Sequence, residues 1–314
     1  MADKNPIPVY SISLSGLLSW QLHALNNEGS EGNQSLTRRY YIIQKGMGEP
    51  EYVNGVSGDM LKHVQAEHLH RIAMEQELAL SEGGRRFDPD RIGFDIETNN
   101  KFFEDSESDL TAKTAKILKT CTISDLEGFM VTEKKGKTLK RESVIEFGTL
   151  VGVPTQVKTQ SYFHAKYGVD EPTPYNIQVS SGIYATVVNI EAFRIGYNPH
   201  NFDYAIAPQQ RKQRLDALLK SLLYTYLQPN GAKRNTHLPH PDSFEGAIAV
   251  STRRCPAPMV SPLQDSYLHQ LDSLAKTLNQ MNGEGTVHLY PFDTMAEFGN
   301  CVKTLIDIAE PWSS

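Results

Sequence analysis

The sequence has little cysteine: Cys121, Cys255 and Cys301 stand far apart in 314 residues. With no CxxC pair, they speak against a disulfide framework and a thiolate zinc site, and reduced thiols are expected. No apolar run reaches membrane-spanning length. The start, MADKNPIPVYS, also lacks the charged-then-apolar layout of a secretory signal, so a cytoplasmic location is expected. A GxxxxGKS phosphate loop, a GxGxxG after a strand and a GxSxG elbow are all missing, and there is no internal repeat. Nor is there an excess of positive charge. A net charge of −6 argues against loose attraction to nucleic acid, although the balance is −7 from Glu75 to Asp109 and +5 from Gln209 to Arg254. The length implies one large domain with insertions, or two domains.

What is present is organised around Asn54 to Glu75, NGVSGDMLKHVQAEHLHRIAME. Gly55 and Gly58 permit a tight turn, Ser57 and Asp59 can cap free amides, and Leu61, Val64, Ala66, Leu69 and Ile72 recur at helical spacing. A glycine loop entering a helix aims unpaired amides outward, and Lys62 and His63 fall in the first turn, an arrangement that suits a phosphate. The same residues also suit an ordinary capped helix.

Before this helix, Val9 to Ser15 alternates Tyr10, Ile12 and Leu14 with Ser11, Ser13 and Ser15, the pattern of a half-buried strand continuing towards His23. NNEGSEGN then reads as a polar turn, and RRYYIIQK resumes strand character from Arg38. After the helix, Gly83 to Asp109 loses apolar periodicity and reads as an insertion. TISDLEGFM restores order, KKGK is a basic turn and SVIEFGTLVGV a strand. Pro154 to Pro174 is polar, aromatic and irregular, which in a compact protein marks a functional or mobile stretch. SGIYATVVNIEAFRIGY is a long strand. Pro208 opens a helix whose buried face is Leu215, Leu218, Leu219, Leu222, Leu223 and Tyr226. GAKRNTHLPHP is a second glycine loop, followed by a strand at AIAVS, a helix over Gln264–Met281, a short strand over Val287–Tyr290 and a helix over Thr294–Ala309.

Two runs of strand, helix, strand predict an α+β sheet of the ferredoxin-like or RNA-recognition-motif type carrying insertions. LHALNNEGSEGNQSLTRR, VNGVSGDMLKHVQAEHL, SVIEFGTLVGV, SSGIYA and GAKRNTHLPHP, in that order, resemble the DevR family of CRISPR-associated proteins over nearly the whole chain. The likeness is nearest to the backbone subunit of type I Cascade complexes of subtype I-B. The resemblance implies a right-hand shape with a palm from 1–83 and 181–314, fingers over 84–149 and a thumb hairpin over 150–180. It also implies copies associating head to tail along a CRISPR RNA, with each thumb displacing one guide base so that the guide pairs with target DNA in segments. Other Cascade subunits are implied as partners: the guide 5′-end-capping subunit and the large and small subunits. Transposon targeting proteins join them if the system serves a transposon.

A subunit that holds any guide contacts phosphate and sugar, because those groups carry no direct sequence information. By position in the resembling motifs, the expected RNA contacts are His23, Asn26, Asn27, Arg38, Ser57, Lys62, His63, Lys233, Arg234 and Asn235. Arg253 and Arg254 could face RNA, target DNA or a neighbouring copy. No cofactor, metal or catalytic residue is expected. The alternative is a DEDD-type metal-dependent 3′-5′ exonuclease, with Asp95 and Glu97 in FDIET, Asp203 in NPHNFD, and His237 with Asp242. That fold needs FDIET on a central strand, whereas here it runs into the acidic stretch NNKFFEDSESD. His63, Glu67 and His68 are similar to a zinc helix, but histidines five residues apart lie about 500° around a helix instead of about 400° and do not share a face. Glu28 and Glu31 leave open the loop-borne RNA cleavage of type III relatives.

Overall fold

The computed structural model describes residues 5–44, 46, 48–99, 101–103, 109–132, 138–165, 174–231 and 233–313. In chain order the strands are β1 (Ile7–Val9), β2 (Ser11–His23), β3 (Asn27–Glu31), β4 (Gln34–Thr37), β5 (Arg39–Ile42) and β6 (Glu51–Val56). Five helices follow, α1 (Gly58–Glu75), α2 (Glu82–Arg85), α3 (Ile92–Thr98), α4 (Leu110–Thr120) and α5 (Thr122–Glu127). Then come β7 (Phe129–Thr132), β8 (Thr138–Arg141), β9 (Ile145–Phe147), β10 (Leu150–His164), β11 (Tyr175–Ile190), β12 (Tyr197–Asn198) and β13 (Asp203–Tyr204). The chain continues through α6 (Pro208–Leu227), β14 (His240–Ser251), α7 (Tyr267–Asn282), β15 (Val287–Phe292), α8 (Met295–Ile308) and β16 (Ala309–Pro311).

The central sheet runs β15-β14-β2-β11-β10-β6-β5 with every neighbour antiparallel, and β9 also pairs with β11. Helix α1 connects β6 to β9 and β10, and α6 connects β11 to β14. The two helices lie side by side on one face, where Gln65 Nε2 donates to Ser221 Oγ at 2.8 Å. Between them and the sheet lies the main core, including Leu14, Leu18, Tyr184, Val188, Leu218, Tyr226 and Phe244. Tyr226, Phe244, Phe292 and Phe298 meet there with ring centroids 4.8–6.0 Å apart.

The opposite face differs from expectation. Ser11, Ser13 and Ser15 are buried as fully as Ile12 and Leu14, so β2 is covered on both sides. The cover is segment 255–260, whose Ala257 N–H donates to Ser11 Oγ at 2.8 Å and whose Val260 N–H donates to Ser15 Oγ at 3.3 Å. Helix α7 continues the layer, packing Tyr267 and Leu271 on Ala247. The serines face protein and satisfy its backbone donors, as buried polar groups must.

Four further expectations change. NNEGSEGN forms the β3–β4 hairpin instead of a turn, and Gly83–Asp109 holds α2 and α3. The stretch read as irregular from Pro154 is regular. β10 and β11 pair from Val151 with Ala185 out to His164 with Tyr175, while 166–173 and KKGK lie outside the described residues. The long strand expected from Ser180 therefore starts at Tyr175 and stops at Ile190. Along this hairpin the register shifts between Gly152 and Val157 on β10 and between Ser180 and Gly182 against β2, and β11 then pairs in parallel with β4. Gly182 has φ +156°, and a Cβ there would stand 2.3 Å from the Gln156 carbonyl oxygen, so only glycine lets the strands cross so closely.

A buried carboxylate, Asp125, links α5 to β8, α6 and the Gly196 backbone. Asp125 accepts from Arg141 Nη2 and Arg214 Nη1, each at 2.6 Å, and from the Gly196 N–H. This also changes the reading of the basic region from Gln209. Arg211 and Arg214 are each only 2 % exposed and Lys212 pairs with Asp216, so much of that charge is structural.

Candidate nucleic-acid interface

The glycine loop before α1 forms as its chemistry predicts. Ser57 is the N-cap, its Oγ accepting from Met60 N–H at 3.2 Å, and Asn26 Oδ1 accepts from the Ser57 N–H at 2.7 Å. Asn26 also receives the Arg38 N–H at its carbonyl, and Asn54 Nδ2 donates to the Arg38 carbonyl at 2.9 Å. Thus residues 26, 38, 54 and 57 form one polar knot at the helix start.

The second glycine loop reaches the same place from the other half of the chain. A Cβ on Gly231 would stand 2.1 Å from Met60 Cε and 2.8 Å from Leu25 Cδ2. Lys233, in the left-handed region at φ 55°, donates its Nζ to Ser35 Oγ at 2.9 Å across to β4. Arg234 bonds Asn230 through Nη1, and Asn235 is exposed. On the hairpin side, His237 lies edge-on to His164 at 5.9 Å, and His164 stacks on Tyr175 at 5.4 Å. Arg38 Nε, Asn230 Nδ2, His164 Nε2 and His237 Nε2 are buried nitrogens without a partner among the described residues. Burial, the neighbouring His164 and Lys233 lower the His237 pKa, so its ring is neutral at pH 7.

Of the expected contacts, Asn26, Asn27, Arg38, Ser57, Lys233, Arg234 and Asn235 therefore border one surface, with Asn27 opening β3. His23 does not join them. It is 1 % exposed, and burial pulls its pKa from 6.5 to about 3. Its Nε2 is 2.8 Å from the Tyr184 hydroxyl, which donates to Asn54 Oδ1 at 2.9 Å. Through that chain a neutral His23 positions Asn54 and hence the Arg38 backbone. Asn54 and Tyr184 were missed by motif reading, because Tyr184 is one aromatic among many in a strand.

Lys62 and His63 also separate from the knot. Asp59, Lys62, His63 and Ala66 form a stripe along α1 that lines a cleft of about 520 Å³ with Phe87 and Arg91. There Lys62 Nζ donates to the Glu127 carbonyl at 3.3 Å, and burial lowers its pKa. Arg91 Nη1 donates to the same carbonyl at 2.9 Å, so this ammonium is committed to the 84–149 segment. His63 is exposed, its ring 5.7 Å from Phe87.

The nuclease residues do not form a site. FDIET lies on helix α3, and Asp95 accepts from the Glu82 and Gly83 N–H groups at the start of α2. Asp203 and Asp242 are exposed on β13 and β14, and no three His, Cys, Asp or Glu side chains among the described residues gather to hold a metal ion.

The sequence model of a family described as "CRISPR-associated negative auto-regulator DevR/Csa2" matches residues 14–271. A chain of a "CRISPR RNA-guided surveillance complex, pre-nicking" shares the fold at a TM-score of 0.55 and 12 % identity, over 94 % of this chain and 99 % of that chain. A chain of a "CRISPR RNA-guided surveillance complex" gives 0.48 at 13 % identity, over 95 % and 98 %. The crystal structure of Thermofilum pendens Csc2 gives 0.41 at 12 %, over 95 % and 83 %. No curated protein matches. With most of its length matched by the family model, the chain belongs to the DevR/Csa2 family of CRISPR-associated proteins.

Proposed function

We propose that the chain is the CRISPR RNA-binding backbone subunit of a type I Cascade complex, of subtype I-B or a relative, and that it holds the guide without cutting it. The observation that carries this reading is the meeting of two glycine loops, from residues 54–60 and 230–237, at Gly231 and Met60. Their junction gathers Arg38, Lys233 and Arg234 around buried nitrogens that lack partners among the described residues. Donors arranged around a helix start suit phosphate and sugar oxygens.

In this reading the palm is ferredoxin-like, because β2, α1, β10, β11, α6 and β14 follow that order and the core strands lie β14-β2-β11-β10. The fingers are 84–149 and the thumb is the part of the β10–β11 hairpin within 150–180, beyond its palm portion. Copies associate head to tail, a heterologous contact that extends along RNA without closing. The guide then pairs with target DNA, and sequence is read by base pairing alone. Other Cascade subunits cap the assembly.

Recovering the protein from its host and sequencing the RNA that accompanies it tests this reading. Discrete repeat-derived guides are expected; absence of RNA would count against it. The same preparation, given labelled RNA or single-stranded DNA with Mg²⁺ or Mn²⁺, should leave both intact. Cleavage lost in Glu28→Ala, Glu31→Ala or Asp95→Ala protein would overturn the non-catalytic part.

A further inference from the structure

An aromatic cavity lies at the far end of β2 from the knot, roughly 40 Å away at about 3.3 Å per strand residue. Tyr10, Phe193, Tyr197, Phe202, Trp312 and Arg254 line about 360 Å³. Nothing in the RNA-backbone reading uses it.

Its walls are fixed before any ligand arrives. Tyr10 and Phe193 stack at 4.3 Å and 3°, and the Phe193 N–H donates to the Tyr10 carbonyl at 3.0 Å. Trp312 stands edge-on to Tyr10 at 5.6 Å, and its N–H donates to the Val9 carbonyl at 2.8 Å. Behind them the buried Arg211 donates Nε to the Ile195 carbonyl and Nη2 to the Trp312 carbonyl, both at 2.8 Å, with its guanidinium 3.6 Å over the Tyr204 ring. The Tyr204 hydroxyl adds a third hold, donating to the Trp312 carbonyl at 3.0 Å. Rings held this way lose little freedom on binding.

Two residues are costly for a merely structural cluster. Phe202, in the NPHNFD turn, sits at φ +60° and is 78 % exposed, a strained conformation for a bulky residue that gains little burial in return. Arg254 is exposed with its guanidinium 4.9 Å over Trp312 and has no ion pair among the described residues. Of the acids near the cavity, Glu191 pairs with Arg194 at 2.6 Å, while Asp203 accepts the Tyr204 N–H at 2.7 Å and keeps its charge. A preformed ring wall, a strained exposed ring and a guanidinium without an ion pair among the described residues together match a planar ring that carries an anion. A cationic ligand fits worse, because Arg211 and Arg254 already cover aromatic faces.

We propose that this cavity is a second nucleotide site, which stacks one unpaired base of a single strand on the aromatic wall and places its phosphate on Arg254. The volume suits one nucleotide and excludes a duplex. Base stacking on aromatic rings tolerates any base, so the site grips strand without reading sequence.

Trp312 reports on the site directly, since the chain has two tryptophans and the other, Trp20, is fully buried. Full-length protein carrying Lys233→Glu and Arg234→Glu, to weaken the separate RNA surface, is titrated with a short unstructured oligonucleotide, its abasic counterpart and adenosine monophosphate. Saturable quenching of Trp312 by the oligonucleotide, absent with the abasic strand, is expected. Arg254→Ala and Phe202→Asn should each weaken it by about tenfold; asparagine tolerates the left-handed backbone, so the second variant keeps its fold. Tighter binding of the oligonucleotide than of the monophosphate assigns the site to a strand, and equal binding assigns the same chemistry to a free nucleotide. Absence of saturable quenching by either, in folded protein, overturns the proposal. So does self-association that Phe202→Asn abolishes while nucleotides leave the emission unchanged, which would make the cavity a seat for a second copy. Because this readout is made on the charge-reversed protein, it can fail while the RNA-backbone reading stands, and the reverse.

Discussion

Gly231 lies against Met60 so tightly that a Cβ added to it would fall 2.1 Å from the Met60 Cε, although the two residues belong to opposite halves of the chain. The same Cβ would be 2.9 Å from the Leu25 carbonyl oxygen, a backbone atom that cannot swing aside. Gly231→Val should therefore destabilise the protein by about 1–3 kcal/mol and displace Lys233 and Arg234. Urea unfolding and RNA binding measure the two effects. Adding Met60→Ala should recover part of the stability; full recovery would show that the Leu25 carbonyl is not a limit.

Asp125 holds two buried guanidinium groups, so removing its charge leaves Arg141 and Arg214 uncompensated in the interior. Asp125→Asn should lower the unfolding free energy by about 3–5 kcal/mol, as for other broken buried pairs. A loss below about 1 kcal/mol in urea unfolding would mean that the two guanidinium groups do not depend on this carboxylate.

Two buried groups give opposite pH dependences. Burial lifts the Glu127 carboxyl from 4.5 to about 7, against the opposing pull of Arg91 and Lys62. The folded state then binds the extra proton, so this contribution is complete below pH 4.5 and lost as pH rises through 7. Burial lowers His23 from 6.5 to about 3, so its contribution is complete above pH 6.5 and lost as pH falls towards 3. Between pH 4.5 and 6.5 the slopes oppose each other. Glu127→Gln should leave stability rising with pH there more steeply than in the wild type, by up to about 1.4 kcal/mol per pH unit. Parallel unfolding curves for the two proteins across that window would contradict the assignment of Glu127.

Helix α1 was legible because a glycine turn, a serine cap and apolar residues at helical spacing agree within one short stretch. The start of α6 was legible because Pro208 suits a first helical turn and apolar residues at helical spacing follow it. The two hairpins were not. The described outer residues of β10 are largely exposed or half-buried and β3 is exposed after its first residue, so no apolar alternation marks those strands, and in β11 the alternation is short, with Ile177 and Val179 buried between Asn176 and Gln178. Serines 11, 13 and 15 imitate a solvent face because their cover comes from residues 255–260, far along the chain. Lys62 misled in the same way: periodicity put it on α1, but its partner, the Glu127 carbonyl, is 65 residues away. At the interface, the glycine loops and their cations could be named from sequence, whereas the chain from His23 through Tyr184 to Asn54 exists only once β2, β6 and β11 are brought into one sheet.

The β10–β11 hairpin shifts register at Gly182, and beyond it β11 pairs with β4. Replacing residues 158–178 with a short turn should leave the sheet and α1 folded while impairing assembly to guide length. Footprinting of the intact complex should show breaks at regular spacing along the guide. Uniform protection would count against a hairpin that displaces bases.

The central claim is that Lys233 and Arg234, beside Gly231, hold RNA by its backbone. The direct measurement is a titration of several unrelated guide RNAs against wild-type protein and the Lys233→Glu, Arg234→Glu variant over a salt series. Weaker binding to every guide alike is predicted, with the slope of log affinity against log salt falling by roughly 0.7 for each phosphate that the variant no longer neutralises. Unchanged affinity for all guides, or weakening confined to particular sequences with the salt slope intact, in folded protein, would contradict it.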